Sequence, residues 1–161
     1  MRAVAKAHLA TGAPIMVHNN PGQETMGHVA RVLDDEGVEP ARVLLAHVGD
    51  STDVDRLAAL AAKGYLLGMD RFGLDPILGF DDRVATVAAL CERGWSSRMV
   101  LAHDTSCYID WIDPNLMQFL PNWHYLHITQ KVLPALLDRG VTQSQIDEML
   151  VANPRAWFER A

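Results

Sequence analysis

Polar side chains able to bind a metal or move a proton follow four short apolar runs in this chain. Val43-Leu44-Leu45-Ala46 runs into His47, with Val48-Gly49-Asp50 behind it. Pro14-Ile15-Met16-Val17 ends in His18, Tyr65-Leu66-Leu67-Gly68-Met69 in Asp70-Arg71, and Met99-Val100-Leu101-Ala102 in His103-Asp104. Neutral imidazoles on adjacent strands, with an acid across from them, suit Zn²⁺ or a similar divalent ion. His18, His47 and Asp104 are therefore the candidate metal ligands. A bound metal lowers the pKa of its water towards ~7, so Asp104 is also placed to take that water's proton, with Asp50 as a relay. Plainer roles compete: a backbone hydrogen bond for each histidine, a cap or salt bridge for Asp104, a helix cap for Asp50. Asp70 and Arg71 form an ion pair with each other, or Arg71 points inward and binds an oxygen-rich substrate. His8, His28, His124 and His127 have no strand-end context and read as core or surface polar groups.

The elements that would position these groups alternate. Each apolar run of about four residues bounded by turn signals reads as a strand buried on both faces. Helical spacing lies between the runs, at about 24–35, at Val54, Leu57, Ala58 and Ala61, and at Val84, Val87, Ala88 and Cys91. Gly37, Gly64 and Gly94 close these helices. Four βα units in succession imply a parallel sheet with helices outside it. Residues with chemistry at successive strand ends favour a (β/α)₈ barrel, whose mouth gathers every strand end. No glycine-rich phosphate loop follows any strand. A barrel typically needs about 250 residues, and here there are 161. The fold class expected is α/β, the second half of a barrel plus a C-terminal helix, forming one domain over residues 1–161.

Three further features complete the reading. Met1–Ala10 has helix composition from its first residue with no cap before it, as if the chain began inside a helix. The stretch Thr105–Trp123 reads as a long functional loop. Pro134 should kink a helix around Ile128–Leu136 or displace its start, and Thr142-Gln143-Ser144-Gln145 is a capping box. Asn153-Pro154 should break the last helix, with Asn153 able to cap a final turn that has Pro154 at its first position.

Composition excludes several classes. A net charge of −6 argues against nucleic acid and anionic membrane as partners. No segment approaches the ~20 apolar residues of a membrane span, and the N-terminus has no signal-peptide core. Two cysteines, Cys91 and Cys107, make no disulfide framework and read as buried small side chains in a reducing cytoplasm.

The series His18, His47-Val48-Gly49-Asp50, Gly68-Met69-Asp70-Arg71-Phe72-Gly73-Leu74-Asp75, Asp104-Thr105-Ser106-Cys107-Tyr108-Ile109-Asp110-Trp111 and Asn153-Pro154 resembles the phosphotriesterase family. Within it the phosphotriesterase-like lactonases of the amidohydrolase superfamily are the most similar. The resemblance runs the length of the chain, in order. It implies a (β/α)₈ barrel with a two-metal centre, most simply zinc, that hydrolyses lactones, phosphotriesters or related esters with a metal-activated hydroxide. Carried onto this sequence, it implies that His18 and His47 hold the more exposed metal. Asp104 would bind the buried metal and the hydroxide, and Asp50 would belong to the proton relay. Arg71, Cys107 and Trp111 would line the substrate pocket.

The same resemblance locates what this chain lacks. The family's His-x-His pair occurs nowhere in it, and none of its lysines, Lys6, Lys63 and Lys131, ends a strand to bridge two metals. The chain would supply two ligands of one metal and one of the other. Three arrangements follow: part of a longer hydrolase whose N-terminal half is missing, a barrel completed by a second copy or second polypeptide, or a non-catalytic half-barrel interaction module.

Overall fold

Four parallel strands lie side by side in the order the chain makes them: β1 (Ile15–His18), β2 (Val43–Ala46), β3 (Leu66–Met69) and β4 (Met99–Leu101). The computed structural model describes residues 1–20, 25–110 and 113–159. Register pairs His18 with Ala46, Leu45 with Leu67, and Met69 with Leu101. The polar residues after each strand therefore leave the sheet along one edge. Helices α1 (Arg2–Thr11), α2 (Thr25–Asp35), α3 (Val54–Ala62) and α4 (Phe80–Glu92) alternate with the strands. This is the α/β half-barrel of four βα units that the sequence predicts.

Side chains alternate across the sheet, so its two faces differ. Ile15, Val17, Val43, Leu45, Leu67, Met69, Met99 and Leu101 belong to the main core. There they join Met26, Ala30 and Leu33 of α2, Leu57 and Ala61 of α3, and Val84, Val87 and Leu90 of α4. Leu44, Ala46, Leu66 and Val100 form a second cluster on the other face, closed by Trp157. On that face at β1, Met16 is 61 % exposed.

The C-terminal segment departs from expectation twice. The stretch Ile128–Val132 is a π-helical turn leading directly into α5 (Leu133–Asp138), so the helical run continues through Pro134, which falls in the first turn of α5. After α6 (Gln143–Asp147), whose capping box forms as predicted, a second π-turn spans Glu148–Ala152 and continues into α7 (Asn153–Glu159). In both places the carbonyl four residues before the proline, on Gln130 or Leu150, lies in the π-turn. The wider turn takes the ring that an α-helix would reject. Asn153 does not cap a new turn through its side chain; its Nδ2 donates to the Ser96 and Met99 carbonyls at 2.8 Å each, fixing the entry to β4. Trp157 Nε1 donates to the Arg42 carbonyl, which seats α7 over the entry end of β2. The loop after β4 carries a 3₁₀ segment, Pro114–Phe119. Cys91 is buried, as read, but Cys107 is exposed. Among the described residues no helix is long and apolar enough to cross a membrane.

Candidate active site

Among the described residues three that are not glycine have positive φ: His47 (64°), Arg71 (62°) and Asp104 (55°). They lie just beyond the ends of β2, β3 and β4. Such a conformation costs a side chain on the order of 1–3 kcal/mol, so surrounding contacts must hold it, and such residues cluster at functional sites.

Asp70 is what holds His47. One carboxylate oxygen accepts the His47 backbone N–H and the other lies 2.9 Å from His47 Nδ1. Both oxygens only accept, so Nδ1 carries the ring proton and Nε2 presents a lone pair. That lone pair faces His18 Nδ1 at 3.0 Å, with the two rings edge to face at 73°. Asn19, buried, donates from Nδ2 to the Val17 and Ala46 carbonyls and ties the ends of β1 and β2 together. Gly68 makes room for the arrangement: a Cβ there would lie 2.9 Å from Asp70 Oδ2 and 3.0 Å from Ala46 Cα.

Beside the histidines runs a chain of alternating charge. Arg71 Nε donates to Asp104 Oδ2 at 3.2 Å and its NH1 group to Asp50 Oδ2 at 3.0 Å. Asp50 Oδ1 meets the Arg83 guanidinium at 2.6 Å. Burial opposes the Arg71 charge, but its bonds to Asp50 and Asp104 outweigh this and raise its pKa further. Asp70 and Arg71 are therefore not paired with each other. Nor does Asp50 cap the next helix: Asp53 does so, accepting from the Arg56 N–H.

Of the three candidate ligands, the structure brings two nitrogens face to face and leaves the carboxylate to one side. Asp104 Oδ2 is 3.9 Å from His47 Nδ1, the nitrogen turned away from His18. Among the described residues no group of three His, Cys, Asp or Glu side chains could hold a metal ion. The donor set fits one edge of a metal site, two imidazole nitrogens with one tautomer fixed by a carboxylate behind it. Cys107 stands exposed on the loop after β4, and Trp111 lies outside the described residues. A cavity of about 730 Å³ lies elsewhere, between α4 and the turn into α6.

A family model, the Phosphotriesterase family, matches residues 1–158. The chain belongs to the phosphotriesterase family. It is similar to the "Phosphotriesterase homology protein" of Mycobacterium tuberculosis, 52 % identical over 161 residues, covering 99 % of this chain and 49 % of that one. The solved "phosphotriesterase from Mycobacterium tuberculosis" superposes with a TM-score of 0.96 at 51 % identity, covering 99 % of this chain and 49 % of that structure. An "Aryldialkylphosphatase" of Saccharolobus solfataricus is 35 % identical over 98 % of this chain and 51 % of its own length. A mutant PTE-like lactonase of Deinococcus radiodurans gives a TM-score of 0.86 at 30 % identity, covering 98 % of this chain and 51 % of that structure. The chain spans about half the length of the curated relatives it matches.

Within this phosphotriesterase fold, sequence reasoning passed over Asp70 as the partner of His47, and over Asn19 and Arg83 altogether. Arg83 left a signal. It falls on the buried stripe of α4 with Val87 and Leu90, where an arginine needs acceptors for its charge.

Proposed function

We propose that residues 1–161 form one domain that supplies one side of a hydrolase active site acting on lactones, phosphotriesters or related esters. His18 and His47 would hold a divalent ion, most simply zinc, by Nδ1 and Nε2. Such an ion supplies Lewis acidity toward an ester oxygen and toward water. Asp104 accepts and passes on a proton, and Arg71, salt-bridged between Asp104 and Asp50, keeps both acids oriented. Arg71, Cys107 and Trp111 would line the substrate side of the mouth. A reducing cytoplasm is the compartment of this reading, supported by two free cysteines. The observation that carries the proposal is the approach of two imidazole nitrogens to 3.0 Å at the strand ends, one with its tautomer set by Asp70. Family membership supports the reaction class.

The test is metal content together with hydrolysis. Because it supplies only part of the ligand set, the 161-residue protein should take up zinc substoichiometrically and cleave a lactone or a phosphotriester only poorly. His47→Ala should abolish uptake, with a lowered melting temperature because the buried Asp70 carboxylate loses a partner. Zinc retained at the wild-type level in that variant would overturn the ligand assignment.

A second reading, a half-barrel completed by another polypeptide or a second copy, is favoured by exposed Met16 on edge strand β1 and by the half-length match. It concerns what the domain associates with and is compatible with the same chemistry.

A further inference from the structure

Arg83 is 1 % exposed and sits in the first turn of α4, outside the mouth. Its Nε donates to the Leu78 carbonyl, and its NH1 group to the carbonyls of Gly49 and Asp70, each at 3.0 Å. The remaining nitrogen faces Asp50 Oδ1. One guanidinium thus spans the loops after β2 and β3. We propose that Arg83 decides how Arg71 is shared between Asp50 and Asp104, and so acts as a positioning residue for the reaction proposed above, on which this inference rests.

The argument is a competition between two carboxylates for one cation. The Asp50 side chain is 4 % exposed, whereas that of Asp104 is 44 % exposed. Water can solvate Asp104, but a buried carboxylate depends on protein partners for its charge. With Arg83 on Oδ1, Asp50 asks only one nitrogen of Arg71 and leaves Nε free for Asp104. Without Arg83, Asp50 has one cation within reach. An end-on grip by the two terminal NH₂ groups of Arg71 would satisfy both of its oxygens, because the guanidinium fork matches a carboxylate. That grip takes Nε away from the exposed acid. Asp104 then loses the contact that fixes its orientation beside His47.

The experiment follows solvent exchange of the Arg71 Nε–H by ¹⁵N NMR in the protein as purified. Arg83→Met should speed that exchange about tenfold, the loss expected for one modest hydrogen bond. Arg83→Lys keeps a charge against Asp50 but cannot reach all three carbonyls. It should restore slow exchange while remaining as thermally unstable as the Met variant. A purely structural role predicts that Lys fails with Met; that result, or unchanged exchange in Arg83→Met, overturns the proposal. Should Arg83→Met not fold, the near-isosteric Asp50→Asn decides. With the competitor's charge removed, Arg71 Nε–H should exchange no faster than in wild type, and faster exchange overturns the inference. None of these readouts needs turnover. A protein showing this pattern without hydrolysing any ester loses the hydrolase reading and keeps only the sharing of Arg71 between Asp50 and Asp104.

Discussion

At the scale of single residues, the site depends on which nitrogen of each imidazole is free. Asp70 fixes this for His47, so Asp70→Asn should matter more than its distance from any substrate implies. An amide can turn an N–H toward His47 Nδ1, driving the ring proton onto Nε2, the nitrogen that faces His18. Zinc affinity should fall by about 10–100-fold, as for other partners behind a metal-bound histidine. The tautomer change should show directly in the His47 ring ¹⁵N shifts; an unchanged tautomer would remove Asp70 from the site. His127 gives the opposite case, a histidine the fold keeps neutral. It is 2 % exposed, packs edge-on against Phe80 and His124, and neither ring nitrogen has a hydrogen-bond partner among the described residues. Burial lowers its pKa below 6.5; Asp75 opposes the shift, while His124, Lys131 and His103 add to it. As pH drops below about 6.5 the unfolded chain takes up this proton before the folded one does, so stability present at neutral pH is lost. His127→Leu should therefore flatten the fall in melting temperature between pH 7 and pH 5. An equally steep fall would show that His127 is not its source.

At the scale of elements, the strand-end loops are spaced by backbone contact. A Cβ on Gly49 would lie 2.8 Å from Met69 Cα and 3.2 Å from the Asp70 nitrogen. Neither neighbour is a flexible side chain, so Gly49→Ala should push the loop after β2 off β3 and cost roughly 1–3 kcal/mol in denaturant unfolding. Gly27, exposed within α2 with nothing near its missing Cβ, is the control. Its replacement by Ala should stabilise by about 0.5–1 kcal/mol. Equal effects at the two positions would contradict the close-packed loop. Elements are also where the sequence was most legible. Four apolar runs with glycine-stopped helices between them gave the sheet, its order and the edge carrying His18, His47 and Asp104, because burial on both faces leaves a strand little choice of pattern. Side-chain partners were far less legible. Asp70 and Arg71 are sequence neighbours, yet each pairs across a loop, because the positive φ at Arg71 sends the two side chains to different partners. The prolines misled for a related reason: a proline ring clashes with an α-turn before it, and the π-turns before Pro134 and Pro154 accommodate the ring with no local motif to announce them.

At the scale of the whole molecule, one face of the sheet lacks the partner its pattern calls for. Leu44, Leu66 and Val100 are covered with the help of Trp157, but β1 is an edge strand, and its Met16 on that face is 61 % exposed. Parallel sheets are normally covered on both faces, and an open edge invites pairing. If the barrel is completed by another half, as proposed, Met16 lies at the seam, and the two roles of that residue can be separated. Exposed in this chain, Met16 contributes little to the fold, so Met16→Asp should leave unfolding stability within about 0.5 kcal/mol of wild type. At a seam the same change buries a carboxylate without a partner, a penalty of several kcal/mol that should weaken association at least ~10-fold. Sedimentation velocity would measure this. The chain would be run alone, for self-association, and with a segment spanning the half of the M. tuberculosis relative that it does not match. A drop in association without a drop in stability locates the seam at β1. Undiminished association with Met16→Asp would mean that this edge is not where the barrel closes.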